Sequence, residues 1–301
     1  MKKLAKYILL LLPLFMLVEG VRAVTPQFFT EEENIADTTD GPRLKVLSWN
    51  IYMLPKIVVR KGKRERATAI AAELKKSDFD IIVFQEAFLP AARGIIKKGL
   101  DSIYKYQYGP INDTKGINTN GGVWVISKIE LKELGTIKFT DCIGFDCYAN
   151  KGAILLQGEF NNKPFQILGT HLQADGYDKV REKQMDQIYT DLISKYRTDS
   201  VPQIVCGDMN TENEIREHYC QMLKCLDAED GDFSSVEKET YDGVNNEIAQ
   251  QYGATHKLSL DYILLRTNGA KMKSVKRFVS ILQKGKKHLS DHYGVVCELK
   301  F

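Results

Sequence analysis

No cysteine spacing in this 301-residue chain resembles a zinc site, and no internal repeat or low-complexity tract interrupts it. Those absences exclude a zinc-built scaffold and a repeat array. A surplus of charge is missing too. The formal +3 arises in residues 1–23, where Lys2, Lys3, Lys6 and Arg22 stand against Glu19. Taking these from 42 basic and 39 acidic residues leaves 38 of each sign. Nucleic-acid binders usually carry a basic balance, so the neutral remainder argues against that partner. The only long apolar run, residues 8–18, is short for a membrane span. Three lysines precede it and Val21-Arg22-Ala23 follows it, the pattern of a secretory signal with a small-residue cleavage site. No cysteine follows the run, which argues against a lipoprotein anchor. The expectation is a secreted or periplasmic protein once residues 1–23 are removed.

Six cysteines remain compatible with disulfides in an exported chain. Cys142 and Cys147 flank a short Gly-containing loop, and Cys220 and Cys225 are near neighbours, so both pairs are candidate bridges. Cys206 and Cys297 fall in apolar strand patterns and read as buried thiols. Residues 24–43 are acidic, with little to bury, and read as a flexible linker to one large domain at 44–301.

Within that domain, alternating or continuous apolar runs predict strands at 44–50, 80–86, 122–127, 153–160, 165–171, 203–206, 259–266 and 293–299. Helical periodicity predicts helices at 64–75, 179–196 and 213–226, the first burying Ala67, Ile70, Ala71 and Leu74. Strands and helices alternate, yet several strands follow one another directly, which suggests mixed sheets flanked by helices.

Polar residues recur where strands end: Asn50, Glu86, His171, Asp208, Asn210, Asp261, Asp291 and His292. Each alone has a plain reading. Asn50 and the Gly207-Asp208-Met209-Asn210 stretch suit turns, Glu86 suits a cap and His171 suits a satisfied loop histidine. Asp261 is harder to dismiss, because a carboxylate inside an apolar strand is costly without a partner. Asp208 and Asn210, two apart on an extended backbone, would aim into one place. The recurrence of such groups at strand after strand argues for a site.

Ser48-Trp49-Asn50, Gln85-Glu86, Gly207-Asp208-Met209-Asn210, Leu260-Asp261-Tyr262-Ile263 and Ser290-Asp291-His292 resemble the ordered motifs of the endonuclease/exonuclease/phosphatase superfamily. A narrower likeness follows. Asn50-Ile51-Tyr52-Met53-Leu54, Asn150-Lys151-Gly152, Gly169-Thr170-His171-Leu172-Gln173-Ala174, and Thr240-Tyr241-Asp242 with Asn246-Glu247-Ile248-Ala249 resemble the bacterial neutral sphingomyelinases. Nuclease branches do not share the last pair. Tyr241 stands where those enzymes more usually carry Trp.

The resemblance implies an α/β fold, a four-layer α-β-β-α sandwich of two packed mixed β-sheets flanked by helices. It implies a phosphoric diester hydrolase that cleaves sphingomyelin in membranes to ceramide and phosphocholine. Mg²⁺ is the implied cofactor, with Mn²⁺ or Co²⁺ as substitutes. A secreted Mg²⁺-dependent nuclease, or another phosphodiesterase of the superfamily, is the alternative. A catalytically silent lipid-binding relative is a rival of another class, opposed by the intact set Glu86, Asp208 and His292.

Roles follow from the same likeness. Glu86, Asn50, Asp208 and Asp291 are the metal candidates. His292 is the general base, oriented by Asp261, with Asp208 as the alternative base. Asp208 and Asn210 hold water and phosphoryl group in line. His171 stabilises the transition state or protonates the leaving alkoxide, and Lys151, Asn210 and Asn246 bind substrate. Residues 266–290 hold eight basic residues and no acid, around Phe278, Val279, Ile281 and Leu282. In the resembling enzymes an aromatic-tipped hairpin occupies this place and enters the membrane. Here the segment is richer in Lys and lacks Trp. It reads either as a lysine-guarded edge strand or as a membrane contact.

Overall fold

Ile81–Gln85 and Gln203–Asp208 are buried along their whole length, which only strands covered on both faces allow. They sit in the middle of two packed sheets. The computed structural model describes residues 41–55, 62–113, 118–174, 176–231, 234–251 and 253–301. The expected signal and the expected linker through residue 40 lie outside the described residues.

The first sheet has the order β12 (Lys273–Ser280), β15 (Gly294–Lys300), β1 (Leu44–Asn50), β2 (Ile81–Gln85), β4 (Trp124–Ser127), β3 (Tyr106–Tyr108). The second has β11 (Asp261–Arg266), β8 (Gln203–Asp208), β7 (Lys163–His171), β6 (Gly152–Phe160), β5 (Lys132–Lys138). β9 (Tyr241–Asp242) pairs with β10 (Lys257–Leu258), and β13 (Gln283–Lys284) with β14 (Lys287–His288). Each large sheet holds one parallel pair, β1 with β2 and β7 with β8; the other neighbours are antiparallel. Both sheets are therefore mixed. A parallel pair needs a crossover. Helix α1 (Lys63–Leu74) lies between β1 and β2 in sequence, and α3 (Asp178–Ile188) between β7 and β8.

Alternation along the strands sorts the layers. Val46, Val83, Ile154, Ile167, Ile204 and Ile263 pack between the sheets. Leu47, Trp49, Ile82 and Phe84 face outward onto α1 and α2 (Pro90–Leu100), through the expected stripe Ala67, Ile70, Ala71 and Leu74. Leu155, Leu168, Val205 and Leu264 face α3 and α4 (Arg216–Leu226). The result is the expected four-layer α-β-β-α sandwich. Among the described residues no helix is long and apolar enough to cross a membrane.

Several expectations are corrected. The helix expected over 179–196 is α3 followed by a π-helical turn, Tyr189–Ser194. The helix expected from 213 starts at Arg216. Cys142 and Cys147 are bridged, with Cα atoms 5.3 Å apart, whereas Cys220 and Cys225 are free. Both lie on α4, and five residues on a helix turn two side chains about 140° apart and ~7.5 Å along the axis. They face different ways.

Within 266–290, β12 is the edge strand of the first sheet. Phe278 and Leu282 pack against the α1/α2 core and Val279 is buried, so of that apolar centre only Ile281, 42% exposed, faces outward. Arg277 is buried and paired with Asp230. The acid missing from the segment comes from elsewhere in the chain. Lys284, Lys286 and Lys287 remain exposed around the β13–β14 turn.

Gly207 pairs with Thr170 across the parallel strands β7 and β8. A Cβ there would lie 2.3 Å from the Thr170 carbonyl oxygen, so the strands would have to part. Gly207→Ala is expected to destabilise the fold by about 1–3 kcal/mol. Thermal unfolding checks this, and an unchanged midpoint would refute the packing argument.

Candidate active site

The inter-sheet layer is apolar in its interior and becomes polar at one mouth. Asn50, Gln85, His171, Asp208 and Asp261 continue, two residues at a time, the same faces that carry Val46, Val83, Ile167, Ile204 and Ile263. Asn50, Gln85, His171 and Asp208 are the C-terminal residues of the parallel strands, the end at which open α/β sheets bind ligands. Register completes the row: Asp261 pairs with Asp208 across β11 and β8, and His171 pairs with Asp208 across β7 and β8.

Asp208 is the centre. Its Oδ2 accepts from Asn50 Nδ2 at 3.0 Å, bridging the two sheets. The same oxygen is 3.6 Å from His171 Nε2 and 3.8 Å from His292 Nε2. Behind His292, Nδ1 meets Asp261 Oδ2 at 2.8 Å, and Thr240 Oγ1 donates to that oxygen at 2.6 Å. On the same His171 nitrogen that faces Asp208, Lys151 Nζ lies 3.2 Å from Nε2 and donates to Leu172 O and Asp146 Oδ2 at 2.8 and 2.7 Å. The Tyr241 ring sits 5.1 Å from the His292 ring.

The backbone leading to His292 is bolted down. Trp49 Nε1 donates to His292 O at 3.0 Å, Ser290 Oγ to Asn50 O at 2.6 Å, and Arg66 to the carbonyls of Leu289, Ile51 and Tyr52. Tyr52, Glu86 and Asn210 take positive φ values of 50°, 52° and 48°. For non-glycine residues such strain persists only where surrounding structure enforces it, often at functional sites.

The two histidines are shifted in opposite directions. Burial lowers His292, but Asp261, Asp208 and Asp291 outweigh it and raise the ring well above the ordinary histidine range. His171 is lowered to about 3 by burial and by the Lys151 ammonium. Burial lifts Asp261 to about 6 despite His292. Asp208 is driven up by burial, yet His292, His171 and Asn50 bring it below its ordinary value.

Glu86 is raised to about 8, first by burial and then by the charge of Asp291, which burial also raises. Its Oε2 is buried with no hydrogen-bond partner among the described residues. Two repelling buried carboxylates, one with an idle oxygen, stay raised even with His292, Lys151 and Arg66 nearby. Hard oxygen donors of this kind fit a divalent cation, with Glu86 and Asp291 as its primary holders and Asp208 beside them. Donor atoms of Asp208, Asp261 and His292 also lie within 4.8 Å of one another, but Asp261 and His292 are already bonded together.

All the sequence-derived candidates but one line this mouth; some have other roles. Asn50 turns its amide N–H groups toward Asp208 and Glu86 and its Oδ1 to Tyr52 N–H, so it bridges carboxylates instead of offering oxygen to a cation. Asn210 is not on extended backbone: its left-handed φ folds its own N–H onto Asp208 Oδ1 and sends Nδ2 to Leu172 O. Asn246 is wholly buried. Its Oδ1 caps α5 (Glu247–Gln250) and its Nδ2 donates to Ser290 O and Asp291 O, so it positions the approach to His292 and does not contact substrate. His171, being neutral, offers a hydrogen bond and not the proton of an imidazolium. Asp146, Thr240 and Arg66 escaped the sequence reading as site residues. Thr240 carried a signal in the Thr240-Tyr241-Asp242 motif; Asp146, in the disulfide loop, and Arg66, on a helix, carried none.

A buried polar mouth between two mixed sheets is the feature to set beside known proteins. Residues 47–292 match the Endonuclease/Exonuclease/phosphatase family, and the chain belongs to it. It is 31% identical over 271 residues to Sphingomyelinase C 2 of Leptospira interrogans, covering 81% of this chain and 43% of that protein. It is 30% identical over 253 residues to Phospholipase C of Staphylococcus aureus, covering 77% and 75%. The chain spans less than half the length of the Leptospira relatives. Sphingomyelinase C from Streptomyces griseocarneus superposes with a TM-score of 0.74 at 25% identity, covering 86% of this chain and 99% of that one.

Because cation and proton compete for Glu86, divalent-cation affinity is expected to fall roughly tenfold per pH unit below about 8, the value to which Glu86 is raised. Calorimetric titration of the cation at several pH values measures this. Glu86→Gln should abolish both the binding and its pH dependence; a flat pH profile in the native protein would refute the assignment.

Proposed function

We propose that this chain is an exported Mg²⁺-dependent phosphodiesterase that hydrolyses sphingomyelin to ceramide and phosphocholine. The observation that carries the chemistry is the row Asp261–His292–Asp208–His171 beside an idle Glu86 oxygen. The sphingomyelinase and phospholipase C relatives support the substrate class. A related Staphylococcus aureus beta toxin structure carries bound magnesium ions, which supports Mg²⁺ here. The Cys142–Cys147 bridge suits an oxidising compartment and supports export.

When bound, a divalent cation supplies positive charge against Glu86 and Asp291 and polarises a phosphoryl oxygen. The chain's own residues do the rest. His292 Nε2, once neutral, accepts a proton from the attacking water, while Asp261 fixes the ring through Nδ1. Asp208, between the two histidines, orients that water. Neutral His171 donates a hydrogen bond through Nδ1, which is buried without a partner among the described residues. The water oxygen joins phosphorus and the phosphorus–ceramide oxygen bond breaks; the leaving alkoxide takes a proton from solvent water, and His292 returns its proton to solvent.

His292→Ala is expected to lower turnover of sphingomyelin vesicles by roughly 10²–10⁴-fold. EDTA should stop phosphocholine release by the native protein, and added Mg²⁺ should restore it. No metal-dependent release from sphingomyelin would sink the substrate reading, and cleavage of plasmid DNA in its place would identify a nuclease. Near-native turnover by His292→Ala would move the base elsewhere.

A further inference from the structure

We propose that the disulfide-closed loop 142–148 is the element that enters the lipid surface. This inference rests on the proposed lipid substrate. Phe145 is 92% exposed, Tyr148 60% and Ile143 41%. Gly144–Tyr148 forms a 3₁₀ turn, whose three-residue period places side chains i and i+3 on one face. Phe145 and Tyr148 are therefore presented together.

The loop cannot fold them inward. The Cys142–Cys147 bridge closes it. Gln173 grips its start, accepting from Ile143 N at 3.0 Å and donating to Ile143 O at 3.1 Å. Asp146 accepts from Lys151 Nζ and Ala174 N, both at 2.7 Å. Gln173 and Ala174 directly follow His171 and Leu172, and Lys151 touches His171. Whatever receives the loop is thereby held against the wall of the catalytic mouth.

Charge selects the occupant. Asp146 is the only charged residue of the loop, and it is spent on Lys151. The outward face is uncharged and aromatic. Phe buries in an apolar phase and Tyr keeps its hydroxyl among polar groups, the pairing suited to a bilayer interface. A zwitterionic lipid surface fits this face. Beside the lysine hairpin β13–β14, Phe278 and Leu282 pack inward and only the aliphatic Ile281 is exposed, at 42%, with no aromatic side chain.

The test uses the full chain with phosphatidylcholine vesicles, with and without sphingomyelin and free of anionic lipid. Phe145→Ser is expected to weaken vesicle binding roughly tenfold and to leave turnover of a soluble phosphocholine ester unchanged. Binding should be insensitive to salt, because no exposed charge is involved. Phe145→Trp should restore binding and its emission should shift to the blue on adding vesicles, since Trp49 and Trp124 are both only 1% exposed and stay silent. Native-like binding by Phe145→Ser, or no spectral shift, overturns the proposal. Binding that salt abolishes, or that is lost on changing Lys284, Lys286 and Lys287 to Gln, overturns it in favour of the hairpin. Binding to phosphatidylcholine vesicles through Phe145, with no sphingomyelin hydrolysis, upholds the loop and sinks the substrate reading alone.

Discussion

Four carboxylates, Glu86, Asp208, Asp261 and Asp291, are buried together at one mouth of the inter-sheet layer. Isolated buried charge is among the costliest features a fold can carry. These four cannot separate, because three sit on or directly after strands of the two large sheets and the fourth is pinned by Ser290 and the backbone grip of Asn246. The apolar layer beneath them, from Val46 to Ile263, fixes those strand ends. Scaffold stability thus holds the repulsion in place, and a bound cation relieves it. Affinity for the cation and the shape of the fold have one origin.

Hydrogen bonds to the backbone supply the precision. Trp49, Ser290, Asn246 and Arg66 all spend their donors on backbone carbonyls around 289–292 or on the facing strand end. Arg66 alone among them brings charge, which draws the Asp291 carboxyl down. Each removes freedom from the segment between β14 and β15 that carries His292. Thr240 does the same for Asp261, donating through Oγ1 while accepting from the backbone N–H of Leu260 and Asp261.

Much of this was legible in the sequence, for a specific reason. Strand parity and apolar runs located the ends of β1, β2, β7, β8 and β11, and side chains at those ends inherit their direction from the strand. Asn50, His171, Asp208 and Asp261 were found that way; Glu86, one residue past β2 with a left-handed φ, was found by its place at the strand's end and not by parity. The parity argument failed at Asn210, where a left-handed turn begins one residue earlier than extended backbone would allow. It was silent on Asn246 and Asn50, whose roles depend on which neighbour claims each amide atom. The Cys220–Cys225 pairing failed because closeness in sequence is not closeness in direction on a helix. Phe278 turned inward because an edge strand still buries one face, and Asp146 was hidden because its meaning depends on a loop closed across space.

The two histidines show how a charged neighbour sets a ring's chemistry. Both are buried and both approach the same oxygen of Asp208, at 3.6 and 3.8 Å. Burial alone would depress both. Asp261 meets His292 at Nδ1 and raises it, while Lys151 meets His171 at Nε2 and depresses it further. One ring therefore binds a proton tightly and the other refuses a second one. Environments that push paired groups apart assign the acid–base roles. The raised ring lies on the β11 side of Asp208 and the depressed ring on the β7 side. The polarity of the site is written into the second sheet, where Asp261 and Lys151 lie on opposite sides of Asp208 in the strand order.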